Sequence, residues 1–431
     1  MQYFSTNQQA NPVSFKQAAI TGQAPDRGLY FPEHIPQIST WQQKPLTSYS
    51  KEELGFEVMR PYVGIDMPEE VLYEIVSQTI NFAFPVVHLT EGIYTLELFH
   101  GPTLAFKDVG ARFMSRCLGY FNRQNNRLVT VLVATSGDTG GAVAHGFEGV
   151  EGVEVIILYP EGKVSPVQEL QLTTCGANIH ALKIAGSFDD CQAMVKQAFT
   201  DADYTQKYQL TSANSINVAR WLPQQLYYFF ALQQWPHQAP PVICVPSGNF
   251  GNICAGMIAH QSGLPVQHFL AACNANDVIP QYLADGVMRQ QQAVATLSNA
   301  MDVALPSNFV RIWQMAGQQL STLRAMLSSS SVSDAQTLQT MQQVHNTLGY
   351  ILDPHGAVGY HALQQYLQQH PQQKGIFLET AHPIKFPDAV EQATGRLLAL
   401  PPGVAQLYQR TARCTPLPAR YAALKEWLLS R

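Results

Sequence analysis

The sequence predicts an α/β protein with open, mainly parallel sheets, and three observations lead there. From about Leu96, short apolar runs alternate with amphipathic helical stretches, the pattern of a sheet covered by helices on both faces. Two glycine-rich turns, at residues 135–141 and 246–252, each follow a strand-like run and precede a helix-like one. The 431 residues also exceed the roughly 250 to 300 at which one hydrophobic core stops growing, so at least two lobes with a cleft between them are expected.

Taken in order, residues 1–92 combine proline-rich turns (Pro25, Pro32, Pro36) with a helical stretch near 68–84. They contain no strand running into a glycine-rich turn and read as an N-terminal accessory lobe, which leaves 93–431 as the catalytic α/β region. Within it, 127–134 (RLVTVLVA) is a strand of the kind buried on both faces; 135–141 is a turn, a helix opens at Ala142, and 153–159 is the next strand. The alternation continues with a helix at 166–175, a strand at 179–184, a helix at 188–199, and strands at 242–245, 268–273 and 375–379. Between about 287 and 346 the composition turns to Gln, Ser, Ala and Met at helical spacing, which predicts an inserted helical subdomain. There is no internal repeat and no low-complexity tail.

Composition narrows the function. Apolar residues make up 46% and charged residues 13%, as in an ordinary folded enzyme. The net charge of −5 arises from 26 basic and 31 acidic residues without a long single-sign run, so a nucleic-acid-binding stripe is absent and small-molecule partners are expected. Seven widely spaced cysteines with no C-x-x-C pair argue against a disulfide framework or a zinc site and suggest a cytoplasmic protein. The N-terminal residues lack a basic segment followed by an apolar one, and no window reaches membrane-spanning length, so neither export nor a membrane partner is expected.

Three segments carry candidate chemistry. In HGPTLAFKDVGARF (100–113) a Gly-Pro turn leads into an amphipathic helix with Lys107 at its start. The positive end of a helix dipole and partial burial both favour a neutral amine, the form that imine chemistry requires. Position alone fits a solvated lysine near a helix end better, and the other segments have to overturn that reading. In PSGNFGN (246–252), the backbone N–H groups of Ser247, Gly248, Asn249, Phe250, Gly251 and Asn252 should converge on an anion at a helix start. Its glycines do not follow G-x-G-x-x-G and it has no P-loop lysine, so a compact phosphate monoester fits better than a dinucleotide, with tight packing as the alternative use of such a turn. In ATSGDTGG (134–141), Ser136, Gly137, Asp138 and Thr139 offer hydroxyls and N–H groups suited to a carboxylate, or serve as helix caps.

Together HGPTLAFKD, ATSGDTGGA, TSANSINVAR, PSGNFGN and ETAHPIKF stand in the order and approximate spacing seen in threonine synthases, and the chain resembles that family over nearly its whole length. The opening APDRGLYFP (24–32) looks like the N-terminal lobe of the longer bacterial and fungal branch. The resemblance implies a fold-type II, tryptophan synthase β-like enzyme that uses pyridoxal 5'-phosphate and converts O-phospho-L-homoserine and water to L-threonine and phosphate. It implies that Lys107 holds the cofactor as a Schiff base and shuttles protons, and that the turn from Ser247 to Asn252 binds the cofactor phosphate. It further implies that Thr380 faces the pyridine nitrogen and that Ser136 to Thr139 face the substrate carboxylate and the cofactor's phenolic oxygen. Asn214 and Arg220 match positions that contact the substrate phosphate. Many relatives have Asn where this chain has Asp138, which leaves the contacts of that residue open.

Arg112, Lys163 and Lys385 are not separable from ordinary surface or helix-end cations, and His145, His355 and His382 fit structural roles without metal-ligand spacing. A serine or threonine dehydratase would share Lys107 and both turns; Arg220 discriminates, because a dehydratase substrate carries no phosphate. A noncatalytic phosphometabolite-binding protein using the same turns is the competing reading of another class.

Overall fold

The computed structural model describes residues 1–38, 44–123 and 128–431, so Arg127, at the expected start of the first buried strand, lies outside the described residues. Among the described residues thirteen strands run in chain order: β1 Tyr3–Ser5, β2 Tyr30–Pro32, β3 Val86–Thr90, β4 Ile93–Glu97, β5 Val129–Ala134, β6 Val153–Pro160, β7 Ile179–Ala185, β8 Gln209–Thr211, β9 Val242–Pro246, β10 His268–Cys273, β11 Leu327–Ser331, β12 Gly375–Glu379 and β13 Thr415–Pro418. They form a six-stranded sheet of order β11-β10-β9-β12-β4-β3, a five-stranded sheet of order β13-β7-β6-β5-β8, and the small pair β1-β2. The five-stranded sheet is parallel throughout; in the six-stranded sheet only β3-β4 is antiparallel, a hairpin that spans residue 92.

Strand alternation explains how two sheets share one interior. In β5, Val129, Val131 and Val133 join the large central core, while Leu132 and Ala134 join a separate cluster with Leu182, Cys191 and Leu424 on the far face. In β9, Ile243 and Val245 point to the same central core, and Val242 and Cys244 to a third cluster with Val358, Leu363 and Phe377. The helices Lys107–Asn122, Leu226–Gln233 and Gly251–Gln261 contribute to that central layer through Phe113, Tyr227 and Ile253. The N-terminal residues Tyr3, Phe15, Leu54, Tyr62 and Val76 belong to the same cluster, so the N-terminal segment shares its core with the sheets.

Two local expectations differ from the structure. The helix after β5 is Asp138–Phe147, starting four residues before Ala142, because Gly137 (φ 136°) makes the turn abruptly enough for Asp138 to open the helix. The Gln- and Ser-rich stretch is helical in part, but it also holds β11, paired parallel to β10. Its sequence, LSSSS, carries no apolar strand signal; pairing with β10 is completed by hydroxyls, Ser329 Oγ donating to Ala271 O (2.8 Å) and Ser331 Oγ to Asn274 O (2.9 Å). The short edge strands β8 and β13 likewise lack a local signature.

Candidate active site

Three loops leave the carboxyl ends of parallel strands: 135–137 after β5, 247–250 after β9 and the segment beginning at Thr380 after β12. That is where open α/β sheets place ligands. The loop before Lys107 lies against the last of these. Phe106 N donates to Thr380 O (2.8 Å), His382 N to Leu104 O (3.0 Å), and Ala105 and Ala381 form an isolated antiparallel bridge. Leu104 adopts φ 59°, a left-handed conformation costly for a leucine, which the flanking hydrogen bonds hold in place. Tyr227 donates its hydroxyl to Phe106 O, so the residue before the lysine is fixed at both its N–H and its carbonyl.

Lys107 is the first residue of its helix, and burial brings its pKa down from 10.5 to about 8, with Lys385 and Arg220 pushing the same way and Asp138 opposing. Asp138 is buried. Burial by itself would raise its pKa, but the cations of Lys385 and Lys107 and a hydrogen bond from Gln168 Nε2 (2.9 Å) hold it well below the usual carboxylate range. The ion pair is close, Lys385 Nζ to Asp138 Oδ1 at 2.7 Å, and Lys385 also donates to Thr103 O (2.8 Å). Arg220 is 4% exposed; its Nη1 donates to the carbonyl of Lys107 (3.1 Å), its Nε is buried without a partner, and burial lowers its pKa to about 10. Its own carbonyl lies 2.4 Å from where a Cβ on Gly110 would stand, so only glycine lets the lysine helix approach Arg220 this closely.

The turn after β9 is built on its glycines and on Phe250 at φ 59°. A Cβ at Gly248 would stand 2.7 Å from Met301 Cα, and one at Gly251 would stand 3.2 Å from Ser215 Cβ. Ser247 Oγ donates to Val245 O (2.8 Å), and Asn249 Oδ1 accepts from Ser307 N and Oγ (3.2 and 3.1 Å). The N–H groups of Gly251 and Asn252 fall in the first helical turn, where no carbonyl of the helix can accept them. Asn252 Oδ1 accepts from Tyr228 OH (2.6 Å), while its Nδ2 is buried and unpartnered.

Of the remaining predicted residues, Ser136 and Thr139 are partly exposed beside Gly137, whose absent Cβ would overlap Gln168 at 2.5 Å. Asn214 is partly exposed and opens the turn 214–217; Ser215 in that turn accepts from Asn308 Nδ2 (2.9 Å) and lies against Gly251. Thus the 214–220 segment spans from the glycine turn to the carbonyl of Lys107. Among the histidines, His355 is buried against Asp353 (2.6 Å) and accepts from Ala300 N (3.2 Å), and His382 Nδ1 accepts from Ile384 N (3.0 Å). Arg112 is engaged with Gln78 and Asn81.

Four residues of this arrangement carried no individual signal. Lys385 sits in the ETAHPIKF motif but looked like any other cation until its ammonium was found fully buried. Gln168, Tyr227 and Tyr228 are ordinary helix residues in sequence. The adjacent tyrosines hold, respectively, the carbonyl before Lys107 and the side chain of Asn252.

The donors present fit pyridoxal phosphate. Free first-turn N–H groups and an orphaned amide suit its phosphate monoester, and an amine with its pKa near 8 suits its aldehyde. Residues 85–378 match the family described as pyridoxal-phosphate dependent enzyme, residues 2–80 the threonine synthase N terminus and residues 356–428 the threonine synthase C-terminal family. Curated threonine synthases from Serratia marcescens and Escherichia coli are each 42% identical, the first over 100% of this chain and 99% of its own length, the second over 100% of both. The chain belongs to the threonine synthase family. It is therefore a pyridoxal-phosphate-dependent lyase of amino-acid biosynthesis. The solved threonine synthase of Escherichia coli superposes with a TM-score of 0.92 at 42% identity over all of both chains. A pyridoxal-phosphate-bound threonine synthase from Brucella melitensis gives 0.92 at 35% identity over 99% of this chain and 98% of its own. Maize serine racemase, at 17% identity and a TM-score of 0.55 over 72% of this chain and 92% of its own, shares the fold-type II architecture.

Proposed function

We propose that Lys107 carries the cofactor and that the substrate is O-phospho-L-homoserine, from which the enzyme expels phosphate at the γ-carbon and adds water at the β-carbon to leave L-threonine. The observation that carries the choice of substrate is Arg220, a buried guanidinium bonded to the carbonyl of Lys107 with Nε free, which suits a phosphate group presented beside the lysine. Asn214 stands in the same segment and would add a neutral donor.

Pyridoxal phosphate, when bound, supplies the electron sink. The chain supplies the rest. A lysine with its pKa near 8 has both its amine and its ammonium accessible near neutral pH, so Lys107 can take a proton from one substrate carbon and return it to the next. Asp138, ionised and paired to Lys385, serves as the counter-charge that offsets part of the burial penalty on the Lys107 cation. A substrate carboxylate would accordingly meet the hydroxyls and N–H groups of Ser136, Gly137 and Thr139, with the Asp138 carboxylate turned to the lysines. Gly248, Asn249, Phe250, Gly251 and Asn252 would cradle the cofactor phosphate, whereas Ser247, its N–H taken by Ala272 O (2.8 Å), would contribute only by turning its hydroxyl from Val245 O. Thr380 would place a hydroxyl at the ring nitrogen, a group too weakly acidic to protonate it. A cytoplasmic location goes with this reading, supported by seven free cysteines.

The test is release of phosphate and threonine from O-phosphohomoserine by the holoenzyme. Equimolar products from wild type, none from Lys107→Ala, and a KM raised far more than kcat is lowered in Arg220→Lys are expected. Turnover of unphosphorylated L-homoserine or L-serine at comparable kcat/KM would overturn the substrate assignment.

A further inference from the structure

A pocket of about 380 Å³ lies away from Lys107 but between its helix and that of Asp138, lined by Gln78, Arg112, Arg116, His145, Gly146 and Glu148. The two helices meet closely here, a Cβ at Gly146 standing 3.1 Å from Ala111. Arg112 and Arg116 are one turn apart on the same face, where side chains are neighbours. Arg112 is only 9% exposed, and its Nε is buried without an acceptor. Its Nη2 donates to Gln78 O (2.5 Å) and Asn81 Oδ1 (2.9 Å); Arg116 donates from Nε to Gln78 Oε1 (2.9 Å) and from Nη1 to Arg112 O (3.1 Å).

Every one of these acceptors is neutral. Neither guanidinium makes an ion pair among the described residues: Asp108 acts on Arg112 only at longer range, and the Glu74 carboxylate is engaged by Gln78 Nε2 (2.9 Å). Burial, and for Arg116 the neighbouring Arg112, pulls both pKa values down, Arg116 to about 10. Two adjacent partly buried cations without a counter-ion are costly, and desolvated charges are normally paired. The exposed side chains of His145 and Glu148 also line the pocket, Glu148 as its one carboxylate.

We propose that this pocket is an anion site for a small phosphate-type oxyanion, gripped by Arg112 and Arg116 with His145 opposite. An occupant would bridge helix Glu69–Thr79, which carries Gln78, to the helices that begin at Lys107 and Asp138. The site does not depend on the substrate assignment above, since no residue is shared.

Phosphate binding to the holoenzyme, titrated calorimetrically with inorganic phosphate and separately with glycerol 2-phosphate, tests this. Wild type should show one more site than Arg116→Gln, whose turnover is retained, or the affinity of that site should fall at least about tenfold in the variant. Gln78→Glu, which builds a carboxylate beside Arg116, should abolish the same site and covers the case in which Arg116→Gln does not fold. Binding of both ligands would mean that a phosphate group suffices; binding of the inorganic ion alone would restrict the site to the free anion. Isotherms identical in wild type, Arg116→Gln and Gln78→Glu would overturn the proposal.

Discussion

Lys385 Nζ stands 2.7 Å from Asp138 Oδ1, with the two side chains 0% and 5% exposed. The ammonium arrives from the segment after β12 and the carboxylate from the first residue of the helix after β5, so one ion pair joins segments that follow strands of the two sheets. Removing one partner of a buried pair leaves an uncompensated charge. Lys385→Met should therefore lose about 3 to 5 kcal/mol of stability. Lys385→Met combined with Asp138→Leu should recover most of it, as read from urea midpoints at constant slope. Equal losses in the single and double variants would show that the pair is not coupled.

Burial lowers the pKa of Lys107, and the same pair adjusts it in opposite directions. With its pKa lowered from 10.5 to about 8, covalent loading of the apoprotein with pyridoxal phosphate should rise with pH and reach half its limit near 8. Asp138 raises that pKa and Lys385 lowers it, so Asp138→Asn should move the midpoint down and Lys385→Met should move it up. The unfolded chain binds the extra proton between about 8 and 10.5, so the apoprotein should gain stability from this group as pH rises through that window. Stopped-flow absorbance across pH checks the first two shifts; midpoints unmoved by both variants would separate Lys107 from its neighbours.

Gly110 has no room for a methyl group against the Arg220 carbonyl. Gly110→Ala should cost about 1 to 3 kcal/mol by overpacking. It should also displace Arg220 from Lys107, raising KM for the phosphorylated substrate while cofactor absorbance persists. A normal KM at reduced stability would confine Gly110 to packing.

Tyr228 OH contacts both Asn252 Oδ1 (2.6 Å) and Asn252 O (2.9 Å). Tyr228→Phe leaves the buried Asn252 Oδ1 without its donor, worth about 1 to 3 kcal/mol. If Asn252 helps to hold the cofactor phosphate, the affinity for pyridoxal phosphate should fall about tenfold or more, measured by fluorescence titration of the apoprotein. Unchanged affinity would show that Tyr228 does not position Asn252 for the cofactor.

Much of this protein was legible because its signals are local. The continuous apolar runs of β5, β6, β9, β10 and β12, broken by glycine turns, identify buried parallel strands and the loops at their carboxyl ends without reference to anything distant in the chain. The same locality put Lys107 at a helix start and Gly137, Gly248 and Gly251 in turns that a side chain would fill. Residues whose role depends on a partner brought from elsewhere were not legible. LSSSS becomes β11 only because β10 offers it a ladder, and Lys385 becomes part of the site only because folding buries its ammonium against Asp138. Tyr227 and Tyr228 look like core aromatics until their hydroxyls reach Phe106 and Asn252. Periodicity and turn chemistry are written into neighbouring residues, whereas the partner of a buried charge or hydroxyl is chosen by packing across elements, and that choice exists only in the folded chain.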